Sequence, residues 1–324
     1  MKKWLTPAEL NRLALDPDRC TRTDLQHDID LNRPFVPEHH TQLYFTPQYE
    51  SLHFEHRLRY NQLFGCRINE YIMMLEADLV DRVLKPLKRL PQVRSDPELL
   101  DAIDTMIAEE KRHYDCFASL NATCRPDLYP PGKERLFSQL PLLTKSLFWT
   151  AGVLASQLAF SLWYLMALEE SSMAFARELS RNPAAGPLGE IDPGFAQVHI
   201  EHMKDEARHV HLDATLIDLC INRQPKWRRG TNAWLFQRML SGATVPKRSG
   251  SGVKVIRQLV RDMPELQDRE EELIQAILGL KNNKAFQESL FNRKIMPMTF
   301  AMFDGTPELH DLGTRMEGYD RKQG

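Results

Sequence analysis

The stretch His202-Met203-Lys204-Asp205-Glu206-Ala207-Arg208-His209 decides how this chain is read. On an α-helix, residues three and four apart share a face. His202 to Glu206 is a step of four and Glu206 to His209 a step of three, so all three side chains leave one stripe. Followed both ways, the stripe reads Phe195, Val198, His199, His202, Glu206, His209, Val210, Asp213, Leu216 and Ile217. That is a core-facing apolar surface with a polar centre. Two imidazoles and a carboxylate buried without partners would be costly. A metal ion removes that cost, because neutral imidazole and ionised carboxylate are its natural ligands.

A lone Glu-x-x-His occurs on many solvated helices, so the weight lies on a second copy. Glu110-Lys111-Arg112-His113 stands 96 residues upstream (206 − 110), on a stripe of Leu100, Ile103, Met106, Ile107, Glu110, His113, Tyr114 and Phe117. Two such motifs, with a lone Glu from each of two further helices, make the dimetal-carboxylate centre of a ferritin-like four-helix bundle.

The lone acids are sought on the remaining long helices. One helix is expected from Ser51 or His53 to Leu84, stopped by Pro86, with an inward stripe of Cys66, Asn69, Ile72, Met73, Glu76, Leu79, Val80 and Val83. Glu76 is its ligand, and Glu70 lies off that face. Another is expected from about Thr144 to Arg181, where the more apolar stripe (Leu158, Leu162, Leu165, Met166, Glu169, Met173, Ala176) selects Glu169. Its neighbour Glu170 then belongs to the surface or to the ligands' surroundings. The helix bearing Glu110 opens at Asp96-Pro97-Glu98, which are start signals, and runs to about Leu120. There Glu109 lies about 100° round from Glu110 and should face solvent or a neighbouring helix. The helix bearing His202 spans about Phe195 to Cys220. Asp213, one turn beyond His209, is placed either to accept the other imidazole N–H, as carboxylates around metal sites do, or to form a simple cap or ion pair. His199 at the stripe's edge and His211 on the far side stay outside the ligand set.

The rest of the chain bounds this reading. Its 324 residues carry a formal charge of −2, which argues against a dedicated nucleic-acid or anionic-membrane partner. Cysteines 20, 66, 116, 124 and 220 are odd in number and scattered, and read as reduced thiols in a cytoplasmic protein. The first residues lack the apolar run of a signal peptide. The apolar stretch Leu147–Leu168 is interrupted by Thr150, Ser156, Gln157 and Ser161 and reads as a buried bundle helix, not a membrane span. Three regions follow. Residues 1–50 are a Pro- and His-rich segment wrapping the surface, in which His39 and His40 are structural. Residues 51–222 are the bundle. Residues 223–324 are additional helices, with patterns near 232–242, 252–262, 267–281 and 284–294, and a loosely ordered tail. Residues 182–194 read as a connecting loop, and the basic cluster Lys226, Arg228 and Arg229 as a solvated face.

Glu76, Glu110, His113, Glu169, His202, Glu206 and His209 thus make an O/N donor set without thiolate, which suits two iron ions, or manganese, better than structural zinc. Bridging carboxylates hold such a pair at roughly 3.5–4 Å. Two reduced irons can deliver two electrons to O2. An apolar wall of Met73, Tyr114, Phe117, Trp163 and Met173 is compatible with an organic substrate.

With these residues in view, the chain resembles the di-iron N-oxygenases of natural-product biosynthesis, the p-aminobenzoate N-oxygenase of the aureothin type and its chloramphenicol-pathway relative. The resemblance covers roughly residues 34–220. It is carried by Pro37-Glu38-His39, Leu43-Tyr44, Thr46-Pro47, Arg57-Leu58-Arg59-Tyr60-Asn61-Gln62-Leu63, Asn69-Glu70, Glu110-x-x-His113, Glu169-Glu170 and His202-x-x-x-Glu206-Ala207-Arg208-His209. The extra histidine, His202, is its most specific part. The resemblance implies a homodimer that takes electrons from an external donor and oxidises a small-molecule amine with O2, towards hydroxylamine and nitro. The longer 182–194 loop and the extended C-terminal region depart from the family pattern. A di-iron hydroxylase or desaturase acting on carbon shares the ligand set, and a non-catalytic metal-binding bundle is the third reading.

Overall fold

Local signals open the helices where the sequence places them. The computed structural model describes residues 4–22, 25, 28–139, 146, 150, 158–314 and 316–319. Over these the protein is mostly helical. Thr6 and Glu9 form a reciprocal capping box at helix α1 (Pro7–Ala14), an element the Pro-rich composition of residues 1–50 concealed. Helix α2 (Phe54–Leu75) passes through one wide π-turn, Glu76–Val80, and continues over Asp81–Leu87. Pro86 therefore sits inside the last turn and does not end the helix before it. Helix α3 (Pro97–Cys124) starts where Asp96 accepts the Leu99 N–H at 3.1 Å, and it extends one turn past the expected end. Helix α4 spans Ser161–Arg181. The segment 144–157, also expected to be helical, lies outside the described residues apart from Ser146 and Thr150. Helix α5 (Pro193–Ile217) opens on Asp192, which accepts the Phe195 N–H at 2.7 Å.

The connection between α4 and α5 is not a plain loop. Ala184–Gly186 pairs antiparallel with Gly189–Glu190, and the two glycines at the reversal have φ of 120° and 94°. Only glycine takes such angles freely. After α5 come α6 (Lys226–Ala243), α7 (Ser251–Asp262), α8 (Glu270–Gly279), α9 (Lys284–Leu290) and α10 (Pro297–Asp304), the last of which had no periodic signal. Over its described residues the tail is packed, with Leu309, Leu312 and Met316 buried.

Two apolar clusters set where the long helices meet. One gathers Phe64 and Cys66 from α2, Phe117 and Leu120 from α3, Phe175 and Leu179 from α4, and Phe195 and Val198 from α5, with α7 and α8 packed outside. The other gathers Met74, Ile103, Leu162, Met166, Val210 and Leu216, covered by α6 and α10. So α2 and α5 begin in the first cluster, while α3 and α4 end in it. The polar centres of the four stripes fall between the two clusters.

Candidate metal centre

All seven proposed ligands are buried there. Their donor atoms fall into two groups, Glu76 with His113 and His202, and Glu110 with Glu169, Glu206 and His209. Glu206 joins them. Its Oε1 lies 2.9 Å from His202 Nε2, 3.4 Å from His209 Nδ1 and 3.5 Å from His113 Nδ1. Glu76 Oε1 is 3.4 Å from His202 Nε2, and Glu110 Oε1 is 2.9 Å from His209 Nδ1. Glu169 sits further out, its Oε2 4.0 Å from His209 Nδ1. Glu76 reaches the centre from the π-turn of α2, a local widening that often marks functional sites.

The imidazoles show what the arrangement is prepared for. Each turns one ring nitrogen outward into a partner and leaves the other facing the centre without a hydrogen bond. His113 Nε2 meets Asp205 Oδ2 at 2.8 Å, His209 Nε2 meets Glu109 Oε2 at 3.0 Å, and His202 Nδ1 meets Ser172 Oγ at 3.2 Å. A carboxylate only accepts, so the outward nitrogens of His113 and His209 each carry a proton, and the inward nitrogens are the ones a metal ion would take up in place of a proton. His113 Nδ1, His202 Nε2, His209 Nδ1, both oxygens of Glu76 and of Glu206, and Glu110 Oε1 have no hydrogen-bond partner. Buried polar atoms are nearly always paired. This many inward orphans, around outward nitrogens that are all anchored, fit cations.

Electrostatics agrees. Burial first, then Glu110 and Glu206, hold the Glu76 carboxyl well above the usual carboxylate range. Burial raises Glu206 also, against the pull of His209. Burial lowers His202, aided by the other imidazoles. For His209 burial pulls the same way, but Glu206 and Glu110 outweigh it and carry it well above its ordinary value. The centre therefore carries more acid than its imidazoles can neutralise, and metal ions would reverse that balance.

Several surrounding residues were not legible as partners. Of the two places expected for Glu109, solvent or a neighbouring helix, it takes the second and faces α5, where its partners could not be named from the sequence. Besides His209 it binds the Arg208 guanidinium, which also holds Asp205 at 2.7 Å and donates to the Arg19 carbonyl at 2.5 Å. Asp205 further accepts the Thr21 N–H at 3.2 Å, so the segment after α1 closes over this network. Asp213 does not take the second N–H of His209, because Glu109 has it. Both Asp213 oxygens are unpartnered, and burial raises its carboxyl well above the ordinary value. Glu170 is neither on the surface nor at the centre. It accepts the N–H groups of Met298 at 2.9 Å and Thr299 at 2.7 Å, capping α10. Glu70 binds the 136–138 backbone away from the centre. Of the expected apolar wall, Phe117 packs on His202 at 5.0 Å between ring centroids. Trp163 instead faces Phe236 of α6, and Tyr114 donates its hydroxyl to Glu134 at 2.6 Å. Of the basic cluster, Arg229 is tied to Glu308 at 2.7 Å.

No protein-family model matches the chain, and no curated protein matches it. No helix among the described residues is long and apolar enough to cross a membrane. The five cysteines are free thiols.

Proposed function

We propose that the protein is a cytoplasmic, homodimeric non-haem di-iron oxygenase whose four long helices form a ferritin-like bundle, and that it oxidises the nitrogen of a small amine or arylamine. One observation carries the dimetal reading: inward donor atoms without partners, drawn from α3, α5 and the π-turn after α2, with Glu169 of α4 beside them, around imidazoles whose other nitrogens are fixed. One ion would be held by Glu76, His113 and His202, the other by Glu110, Glu169 and His209, with Glu206 shared. Bound iron supplies the electrons that activate O2, which side chains cannot do alone. The chain's own contribution is placement. Asp205 and Glu109 fix the ring orientation and tautomer of His113 and His209 and make them better donors. Arg208 ties those two acids together and offsets their charge. Phe117 and the apolar clusters bury the centre among hydrocarbon.

Nitrogen is preferred to carbon as the oxidised atom on the third imidazole, His202, which carries the resemblance to the N-oxygenases. The decisive experiment is anaerobic reconstitution with Fe(II), metal analysis, then exposure to O2 with a reductant and panels of arylamines and fatty acids. About two irons per chain and O2-dependent oxidation of an arylamine are expected. Hydroxylated or desaturated fatty acid would move the assignment to carbon. Protein that retains neither iron nor manganese would remove the enzymatic reading.

A further inference from the structure

A second group of metal-type donors stands at the surface, away from the centre. His39 and His40 lie on one short 3-10 turn, Glu38–His40, whose Glu38 accepts the Tyr49 hydroxyl. Both rings converge on one carboxylate of α4. His39 Nε2 is 2.9 Å from Glu178 Oε1, and His40 Nε2 is 2.9 Å from Glu178 Oε2. The three donor atoms lie within 4.8 Å of one another. With metal–ligand distances of about 2.0–2.2 Å, neighbouring ligands on one ion stand about 3 Å apart. The two histidine–carboxylate spacings already match that. A simple ion pair needs one imidazole, whereas two on one carboxylate reproduce a two-histidine, one-carboxylate face with open positions, the donor set that suits ferrous iron.

An independent observation links this cluster to the interior. Along α4, Glu169, Ser172, Phe175 and Glu178 follow in steps of three, from the centre to the surface cluster. Along α5, His202 and His199 face the same seam. His199 is 1% exposed, and neither ring nitrogen has a partner. It is the one histidine of α5 outside both ligand groups whose nitrogens are left unbound. The rings form a continuous series: His40 to Phe175 at 5.0 Å, Phe175 to His199 at 4.9 Å, His199 to Phe117 at 5.0 Å, and Phe117 to His202 at 5.0 Å. A buried imidazole with two unsatisfied nitrogens is costly. A transient ligand position on a route for metal ions explains its placement.

We infer that His39, His40 and Glu178 form a surface site for a divalent transition-metal ion, and that this site supplies the interior centre along the α4–α5 seam past His199. The second half rests on the dimetal reading above, whereas the first does not. The test uses the full chain with Zn2+ and Fe2+ as probes, comparing wild type with His39→Asn/His40→Asn and with Glu178→Gln. Glu178→Gln is isosteric and the two asparagines are polar and smaller than the histidines they replace, and circular dichroism with thermal melting checks the folding of both variants. Calorimetry with Zn2+ should show one ion fewer per chain in each variant. Stopped-flow loading of metal-free protein with Fe2+ should be at least tenfold slower, with final iron content unchanged. His199→Phe should slow loading by a similar factor and leave the surface ion in place. Equal Zn2+ stoichiometry in wild type and variants would overturn the surface site. A lost ion with unchanged loading rates would overturn the supply route alone. If the interior holds no metal in any protein, the dimetal reading and the supply route fail together, and the surface stoichiometry still decides the site.

Discussion

Replacing Glu206 by leucine should change the protein's stability in opposite directions with and without metal. In the metal-free protein Glu206 is fully buried, and neither oxygen has a hydrogen-bond partner. Relieving an unsatisfied buried group of this kind is worth about 1–3 kcal/mol, and leucine fills nearly the same volume. Unfolding entropy of about 2.1 cal/mol/K per residue over 324 residues gives roughly 1.5 °C per kcal/mol. Glu206→Leu should therefore melt about 1.5–4.5 °C above wild type when both are stripped of metal at pH 7. Added Mn2+ at about a hundred times its dissociation constant should stabilise wild type by about 2.7 kcal/mol per ion. The variant, lacking the residue proposed to be shared by the two ions, should gain much less, so the order of the melting temperatures inverts. The pH dependence adds a second check. Burial holds the folded Glu206 carboxyl above its unfolded value. Its neutral form is therefore unpenalised below the unfolded carboxylate value of about 4.3, and stability is lost as pH rises through the folded value. The metal-free advantage of Glu206→Leu should be small near pH 4 and grow towards neutrality. Differential scanning calorimetry with and without chelator measures all of this. A variant that melts below wild type in chelator, by the margin of an ordinary core lesion, would show that Glu206 is satisfied without metal and refute the reasoning.

The adjacent acids of α4 should separate cleanly. Glu169→Gln should lower metal content or affinity with little change in metal-free stability. Glu170→Gln should keep the metal and cost about 1–3 kcal/mol in urea unfolding, because it caps α10. Asp205→Asn should weaken metal affinity about 10–100-fold, read by competition with a chelating dye, since it loosens both His113 and Arg208. For His199, burial depresses the folded value to about 3, below the unfolded value of about 6.5. The stability it contributes is present above pH 6.5 and drains away as pH falls towards 3, so His199→Phe should flatten the acid limb of urea midpoint against pH. Leu312→Ala should cost about 2–5 kcal/mol, an outcome at odds with a loose tail and consistent with its complete burial.

That these seven acids and imidazoles face one interior was legible because each position depends on one helix alone. Steps of three and four put His202, Glu206 and His209 on one stripe whatever α5 packs against, and the same period separates Glu169 from Glu170 once the apolar face is chosen. Glu109 and Asp213 show where that reasoning stops. Asp213 has the right spacing to meet His209 along α5, yet the imidazole turns its Nε2 across the interface to Glu109 of α3. Which acid wins depends on the angle and separation of two helices, and a periodic pattern within either contains neither quantity. The same holds for Glu170, whose partners lie 128 and 129 residues away. It holds also for Asp205, which is not on the α5 stripe and meets His113 only because α3 packs there. The histidines therefore depend on contacts between helices for their orientation and on sequence within helices for their position. A substitution that preserves the stripe but shifts α3 against α5 should leave all seven residues on their stripes and still misdirect the inward nitrogens, so geometry at this centre is more easily lost than composition.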